Sequence, residues 1–161
     1  MAYTRKRIEK RDRPKNRTCY ETAVYLLQFR DQSEKDLTRK LKERQYTEKE
    51  IEETIAKLKD YEYVNDENLA DELFEAYRRR AQYGDTYIHQ KLKLKGLSCE
   101  KHLTLEEEIE MAAALLRKKW GMSPKMRTDF KKSASFLLRR GFSHDAVMTV
   151  MHEMDFEKIE E

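Results

Sequence analysis

The feature that most constrains this chain is a short helical pattern that occurs three times. In each copy, two residues spaced four apart are followed by a linker residue, an apolar residue and a Ser or Thr. The copies are Leu37/Leu41/Tyr46/Thr47, Ile88/Leu92/Leu97/Ser98 and Ser133/Leu137/Phe142/Ser143, with Gln45, Gly96 and Gly141 as linkers. Successive copies are 51 and 45 residues apart, about the length of a three-helix unit. Such units stack because none buries its apolar face alone, so tandem three-helix repeats are predicted.

Helix-start signals recur along the chain, and no segment alternates with period two over a useful length. Thr47 with Glu50, and Thr104 with Glu107, have capping-box spacing. The predicted caps are Thr18, Ser33, Thr47, Asp66, Asp85 or Thr86, Thr104, Ser123 and Ser143. The sequence therefore predicts an all-α fold.

The repeats divide the chain into four segments. Residues 1–17 are predicted to be a basic tail, disordered or loosely attached, because they have almost no apolar content. The first repeat covers residues 18–65, the second 66–103 and the third 104–157. Between Ser98 and Thr104 there is room for only about a turn and a half of helix, so the third helix of the second repeat is expected to be truncated.

Composition limits the size of the hydrophobic core and indicates the cellular compartment of the protein. With 39% hydrophobic and 40% charged residues, the cores are expected to be small. No apolar run approaches the length of a membrane-spanning helix, and no secretory signal follows the basic N-terminus. Cys19 and Cys99 are then expected to be reduced thiols in a cytoplasmic protein.

Sequence motifs for catalysis, cofactors or metals are weak. None of the four histidines belongs to a known catalytic or metal motif. Cys99-x-x-His102 has the spacing of a metal-binding pair, but no second pair completes a tetrahedral site. The carboxylates at 48–53 and 106–108 lie in first turns, where they complement the helix dipole. We therefore expect no enzyme, no cofactor and no metal.

Basic residues cluster near the ends of successive helices, and residues 75–140 carry 16 Lys or Arg against eight Asp or Glu. The helix dipole explains one cation at a C-terminus, but not three in a row. If the repeats stack, the clusters form a ridge suited to phosphates or an acidic protein surface, rather than simply a solvated face. The candidate binding residues are Arg78, Arg79, Arg80, Lys91, Lys93, Lys95, Arg117, Lys118, Lys119, Lys125, Arg127, Lys131, Lys132, Arg139 and Arg140.

Three tyrosines lie among these cations. Tyr77 is on an apolar stripe and is predicted to be in the core, whereas Tyr83 and Tyr87 are left open between packing and base stacking. The pair Asn65-Asp66 is interpreted as architectural, with Asp66 capping the helix that follows and Asn65 in a turn.

Several short motifs, in order, resemble the RecX family over about residues 20–155. They are "RDQSEKDL" with Arg30, Ser33, Glu34 and Leu37; "YEYVNDENLA" with Tyr63, Asn65, Asp66 and Ala70; the arginines at 78–80; Gly84; "KLKLKG" with Leu92 and Gly96; and "FLLRRGF" at 136–142. The chain departs from the family pattern at Gln45, where glycine is usual. It also has Gly84-Asp85-Thr86-Tyr87 where Gly-x-Gly-Pro is frequent.

The resemblance implies an elongated, curved array of nine helices in three repeats. It implies a protein that lies in the groove of the filament formed by the recombinase RecA on single-stranded DNA. There it would restrain the ATPase and strand exchange of RecA or promote disassembly, with accessory DNA contact, as a monomer without a membrane partner. Two alternatives remain: a general DNA- or RNA-binding helical protein without a RecA partner, and a helical scaffold.

Overall fold

The regular structure of residues 16–156, the range that the computed structural model describes, is entirely helical. The elements are α1 (Cys19–Leu27), α2 (Glu34–Glu43), α3 (Glu48–Asp60), α4 (Asp66–Arg80), α5 (Asp85–Leu94), α6 (Leu105–Met122), a 3-10 helix (Pro124–Thr128), α7 (Phe130–Arg139) and α8 (His144–Phe156). The predicted all-α fold is confirmed. The chain divides into two compact units, Met1–Leu69 and Ala70–Glu161. The predicted tail falls outside the described range as far as residue 15.

The first unit packs α1, α2 and α3 around one small core. Its buried apolar residues are Cys19, Ala23, Leu37, Leu41, Tyr46, Ile51, Ile55, Leu58 and Val64. Thr18, Ser33 and Thr47 cap their helices as predicted. Thr47 forms the predicted capping box with Glu50, and Thr18 forms a further one with Glu21. The hydroxyls of Thr22 and Tyr46 lie 2.6 Å apart inside this core, and the Tyr46 hydroxyl also donates to the carbonyl of Arg17. Residue 17 of the predicted tail is thus held against the first repeat.

The Asn65-Asp66 pair is architectural, but its two side chains have roles other than those predicted. The side-chain oxygen of Asn65 accepts from the Asn68 backbone N–H at 3.1 Å, so Asn65 caps the start of α4. Asp66 instead accepts from the Glu34 backbone N–H at 2.9 Å. Because that N–H is one of the unpaired donors of the first turn of α2, Asp66 connects the start of α4 to the start of α2.

The second unit has its main core among α6, α7 and α8. Its buried apolar residues are Ala112, Ala113, Leu116, Leu137, Phe142, Val147, Val150, Met151 and Met154. Thr104 forms a capping box with Glu107, and Ser143 accepts from the Ala146 backbone N–H, as predicted. Phe74 of α4, and Ile88 and Leu92 of α5, are also fully buried.

The three predicted linker residues all adopt the left-handed backbone conformation. Gln45, Gly96 and Gly141 have φ values of 66°, 72° and 81°. The apolar residue that follows each linker, Tyr46, Leu97 or Phe142, is buried. Gln45 adopts this conformation at a cost of about 1–2 kcal/mol relative to glycine. The repeated pattern therefore corresponds to one repeated turn geometry. Gln45, which stands where the other two copies have glycine, keeps that geometry.

Three further local predictions differ from the structure. The cap predicted at Asp85 or Thr86 is wrong, because the N-cap of α5 is Gly84, which has no side chain to form a cap, and Asp85 is the first helical residue. Residues 97–104 contain no helix, so the third helix of the second repeat is absent rather than short. The helix predicted to begin at Ser123 is instead a 3-10 helix, and α7 starts later, with the Asp129 side chain accepting from the Lys132 backbone N–H at 2.9 Å. A carboxylate is at least as good a cap as a hydroxyl, and Ser123 makes no side-chain cap.

Candidate functional site

Two turns of the second unit approach so closely that each needs a glycine. The Gly84 N–H donates to the carbonyl of Arg140 at 2.8 Å, and the Thr86 N–H donates to the carbonyl of Gly141 at 3.2 Å. A Cβ on Gly84 would overlap the carbonyl group of Gly141 and the Cα of Phe142, all of them backbone atoms. The contact fixes the start of α5 against the end of α7.

This glycine contact brings aromatic and basic side chains together. The rings of Tyr83 and Tyr87 stack with centroids 3.8 Å apart and planes within 7° of parallel. The guanidinium carbon of Arg140 lies 5.5 Å from the centroid of Tyr83 and 4.8 Å from that of Phe136. Tyr77 meets both stacked tyrosines edge-on at 6.3 Å. Tyr77 is half-buried, so the prediction that it lies in the core is wrong. It belongs instead to this aromatic cluster.

Two lysines extend the arrangement at its ends. The Nζ of Lys91 lies 5.1 Å from the ring centroid of Tyr87, and the Nζ of Lys119 lies 5.7 Å from that of Phe136. We call the row of six side chains the cation–aromatic strip. In spatial order it consists of Lys91, Tyr87, Tyr83, Arg140, Phe136 and Lys119.

The cations of the strip are held by rings rather than by carboxylates. Among the side chains of residues 16–154, no Asp or Glu oxygen lies within 4.0 Å of the charged nitrogens of Lys91, Lys119 or Arg140. One N–H of Arg140 donates to the carbonyl of Gln82 at 3.2 Å, which orients the guanidinium and leaves further donors. Cation–π contacts of this kind are worth about 0.5–1 kcal/mol at exposed positions. The strip therefore holds three cations in place without neutralising them.

Other predicted binding residues have different surroundings. Arg78 pairs with Glu75 at 3.7 Å and with Glu107 of the capping box, so its charge is compensated within the fold. Lys132 pairs with Asp129 at 3.3 Å. Arg139 donates to the carbonyl of Ser135 at 3.2 Å.

The remaining candidates are mostly exposed cations. Arg127 is exposed and Lys95 is half-buried. The exposed cations that make no ion pair with any side chain between residues 16 and 154 are Arg79, Arg80, Lys93, Arg117, Lys118, Lys125 and Lys131. Three of the 15 candidates, Lys91, Lys119 and Arg140, are connected to one another by the aromatic rings of the strip. A ridge formed by all 15 stays a prediction.

Glu107 connects the Arg78 pair to helix capping. The backbone N–H of Thr104 donates to the Glu107 carboxylate at 2.9 Å, and this bond, followed by the Arg78 contact, lowers the pKa of Glu107. The Glu107 carboxylate therefore stays ionised at pH values below those at which a glutamate is usually protonated. Arg78 keeps its negative partner at those pH values.

Glu108 is a structural residue of the site that the sequence pattern did not reveal. Its side chain is buried, with the residue 4% exposed. Its carboxylate accepts from the backbone N–H of Asp85 at 3.0 Å and from that of Ser143 at 3.3 Å. Those groups lie at the starts of α5 and α8, where unpaired donors and the helix dipole both favour a negative charge. Glu108 thus supports the two turns on which the strip is built, rather than the dipole of its own helix.

The strip itself had a partial signal in the sequence. Tyr83 and Tyr87 are spaced four apart around Gly84, and Phe136 and Arg140 are spaced four apart on α7. Each pair is visible in the sequence as a helical neighbour pair. Their meeting depends on the approach of two turns 57 residues apart, which no local pattern reports.

None of the helices within residues 16–156 is long and apolar enough to cross a membrane.

Family models match the two ends of the chain. The model described as "RecX, first three-helix domain" matches residues 19–58, which cover α1, α2 and most of α3. The model described as "RecX, third three-helix domain" matches residues 106–151, which extend from α6 into α8.

Individual proteins agree with the family models. The chain is 31% identical over 157 residues to the regulatory protein RecX of Actinobacillus pleuropneumoniae serotype 5b, covering 90% of this chain and 97% of that protein. It is 26% identical to the regulatory protein RecX of Bacillus velezensis, where the match covers 89% of this chain and 57% of the relative. The crystal structure of RecX from Lactobacillus salivarius superposes with a TM-score of 0.74 at 27% identity, covering 86% of this chain and 95% of that one. The chain therefore belongs to the RecX family of regulatory proteins.

Proposed function

We propose that this protein regulates the recombinase RecA by binding the filament that RecA forms on single-stranded DNA. Binding lowers the ATPase and strand-exchange activity of RecA and its assembly, and thereby regulates DNA repair and recombination. The protein acts as a monomer and without chemistry of its own. Support comes from membership of a family whose members are named regulatory proteins, and from the cation–aromatic strip.

The observation that carries the choice of interface is the uncompensated charge of the strip. Arg140 presents a planar guanidinium, whose fork of donors matches a phosphate or a carboxylate. Its contacts with Tyr83 and Phe136 limit its rotamers before binding. Pre-ordering a side chain saves about 0.5–1.5 kcal/mol of entropy on association. The filament offers both kinds of anion, in DNA phosphates and in acidic side chains of protein.

The tyrosines of the strip support the cations rather than offer open faces to bases. Tyr83 and Tyr87 stack on each other, Arg140 lies against Tyr83, and Lys91 lies against Tyr87. A base that stacked here would have to displace a cation. We therefore assign the strip to anion recognition, and the exposed cations around it contribute a longer-range, salt-sensitive attraction.

The second candidate function is binding to DNA or RNA alone, favoured by the same uncompensated cations. The two functions differ in their preferred target. A regulator of RecA binds the filament more tightly than the same length of bare single-stranded DNA at equal salt. A nucleic-acid-binding protein binds bare DNA at least as tightly, because RecA covers phosphates that it needs.

Removing two cations of the strip tests the interface. The variant Lys91→Ala/Arg140→Ala is expected to weaken filament binding at least thirtyfold, since each charge-assisted contact is worth about 1 kcal/mol or more and about 1.4 kcal/mol corresponds to tenfold. Affinity is measured by fluorescence anisotropy on RecA filaments and on bare DNA of the same length.

The matched control is Arg39→Ala/Lys42→Ala on α2. It removes the same net charge from exposed side chains that pair with Glu43 and Glu48 in the first unit. Filament affinity within about threefold of the parent is expected for the control. Equal losses in both double variants would mean that only net charge matters, and the assignment of the strip would be wrong.

A further inference from the structure

We propose that Asp85, His89 and His102 form a binding site for one divalent transition-metal ion of the zinc class. Each side chain offers one ligand atom, and the three atoms lie within 4.8 Å of one another. Two imidazoles and one carboxylate are a donor set that zinc and its neighbours in the first transition row accept readily. Three protein ligands leave a fourth, tetrahedral position for water.

The first two ligands are fixed by helix geometry. Asp85 is the first residue of α5, and His89 follows four residues later, so both lie on one face of the helix, one turn apart. The same i, i+4 spacing on a helix places two metal ligands side by side in known zinc sites. The ring of His89 is half-buried, with its centroid 5.8 Å from that of the buried Phe74, which limits its movement.

The third ligand comes from residues 97–104, the segment without a helix. The backbone N–H of Leu103 donates to Oδ1 of Asp85 at 2.7 Å, and the carbonyl of Lys101 lies 2.9 Å from Nε2 of His89. These two contacts place the chain on either side of His102, and the contact of Nε2 of His89 with the carbonyl is given up where that nitrogen binds the ion. Nδ1 of His102 then lies 2.7 Å from Oδ2 of Asp85, and its ring stacks on that of His89 at 4.5 Å.

Only a small movement separates this arrangement from a coordinated ion. Ligand atoms around tetrahedral zinc stand about 3.3 Å apart, given metal–ligand distances of about 2.0–2.2 Å. The His102 side chain is 65% exposed and can supply most of that movement by side-chain rotation alone. The backbone of Asp85 is held by the bond from its N–H to the buried Glu108 at 3.0 Å, and its carboxylate is held by the bond from the Leu103 N–H at 2.7 Å. The site therefore has two anchored ligands and one adjustable ligand.

The charges around the site permit a cation to enter. Lys101, whose carbonyl contacts His89, pairs through its side chain with Glu75 at 3.3 Å, so its charge is compensated. The buried Glu108 carboxylate lies directly behind the Asp85 backbone and favours positive charge.

Cys99, which sequence spacing pairs with His102, belongs to a different contact. Its thiol donates to Oδ1 of Asp71 at 3.2 Å. Burial, followed by the bond to Asp71, raises the pKa of Cys99 above its ordinary value. A metal ligand must be a thiolate, so Cys99 is not a member of the site.

Metal binding is tested on the full, tag-free chain after treatment with a chelator. Zinc chloride is titrated against a chromogenic zinc chelator, and cobalt chloride is added separately to record d–d absorption. We expect one tight zinc equivalent per chain. We expect His102→Gln to weaken zinc binding at least tenfold and His89→Gln/His102→Gln to abolish stoichiometric binding, because each removes a direct ligand. His102 is exposed, so its single variant separates ligand loss from misfolding.

The matched control is His144→Gln/His152→Gln, which removes two exposed histidines from α8 and is expected to bind zinc like the parent. Zinc is also expected to raise the midpoint of thermal unfolding of the parent and of this control, but not that of His102→Gln. Equal zinc affinity in the parent and in His89→Gln/His102→Gln, or equal losses in both double variants, would overturn the proposal.

Discussion

Gly84→Ala is expected to destabilise the second unit by about 2–4 kcal/mol, the combined cost of overpacking and of weakened hydrogen bonds. The added Cβ would overlap backbone atoms of Gly141 and Phe142, which cannot rotate away as a side chain can. The two turns must separate, and the bonds from Gly84 to Arg140 and from Thr86 to Gly141 lengthen. Denaturant unfolding followed by fluorescence measures the effect, because the single tryptophan, Trp120, lies on α6 in this unit.

Gly121→Ala is the matched control for this substitution. Gly121 lies in α6, and a Cβ there would meet no atom within 4 Å. Alanine is a better helix former than glycine, so this variant is expected to gain up to about 1 kcal/mol. If Gly84→Ala were as stable as Gly121→Ala, the close approach of the two turns would not exist as described. That result would also remove the explanation for the cation–aromatic strip, because the strip depends on the close approach of these two turns.

Glu108→Ala is expected to cost about 2–4 kcal/mol, because it leaves buried donors without an acceptor. The carboxylate is shared by the backbone N–H groups of Asp85 and Ser143, and each unpaired buried group costs about 1–3 kcal/mol. The cavity left by the shortened side chain adds to this loss. Urea unfolding, again followed by the fluorescence of Trp120, gives the free energy of unfolding of the second unit.

Glu110→Ala on the same helix is the control. Glu110 is exposed, and a surface substitution of this kind is expected to change stability by less than about 0.5 kcal/mol. Equal stability of Glu108→Ala and Glu110→Ala would show that Glu108 does not hold the starts of α5 and α8. Glu108→Gln keeps an acceptor oxygen, so its loss is expected to fall between the two.

Much of the fold follows from short-range signals in the sequence. The capping boxes at Thr47 and Thr104 act over three residues and were predicted from spacing alone, and Thr18 was predicted as a cap. The repeated pattern also predicted that Gln45, Gly96 and Gly141 occupy one equivalent linker position, and the structure shows that all three share the left-handed conformation. These features depend on a few neighbouring residues, so local sequence is sufficient to predict them.

The site was less predictable because it depends on approaches between distant turns. Gly84 and Gly141 are recognisable as turn residues, but their mutual contact is set by how α5 and α7 pack. Glu108 has the sequence signature of a first-turn dipole carboxylate, and only its burial reveals that it accepts from the starts of two other helices. The clustering of basic residues in the sequence likewise made Arg78 and Arg140 equal candidates for binding an anion. In the structure, Arg78 pairs with the carboxylates of Glu75 and Glu107, whereas Arg140 lies against aromatic rings.

Differences from the family pattern coincide with features of this site. Tyr87 stands where the pattern frequently has proline, and it forms the central stack with Tyr83. The segment that replaces the sixth helix supplies His102. The proposed metal site thus lies in the second repeat, and the strip combines Tyr83, Tyr87 and Lys91 of that repeat with side chains of the third.

The most direct test of the proposed regulation is the ATPase activity of RecA on single-stranded DNA, measured at a fixed concentration of RecA while this protein is titrated. A regulator that binds the filament acts on many RecA subunits from few positions. We therefore predict that ATP hydrolysis falls when the protein is well below one molecule per RecA subunit. Hydrolysis that falls only when the protein exceeds the available DNA sites would indicate competition for DNA and would contradict the proposed regulation of RecA.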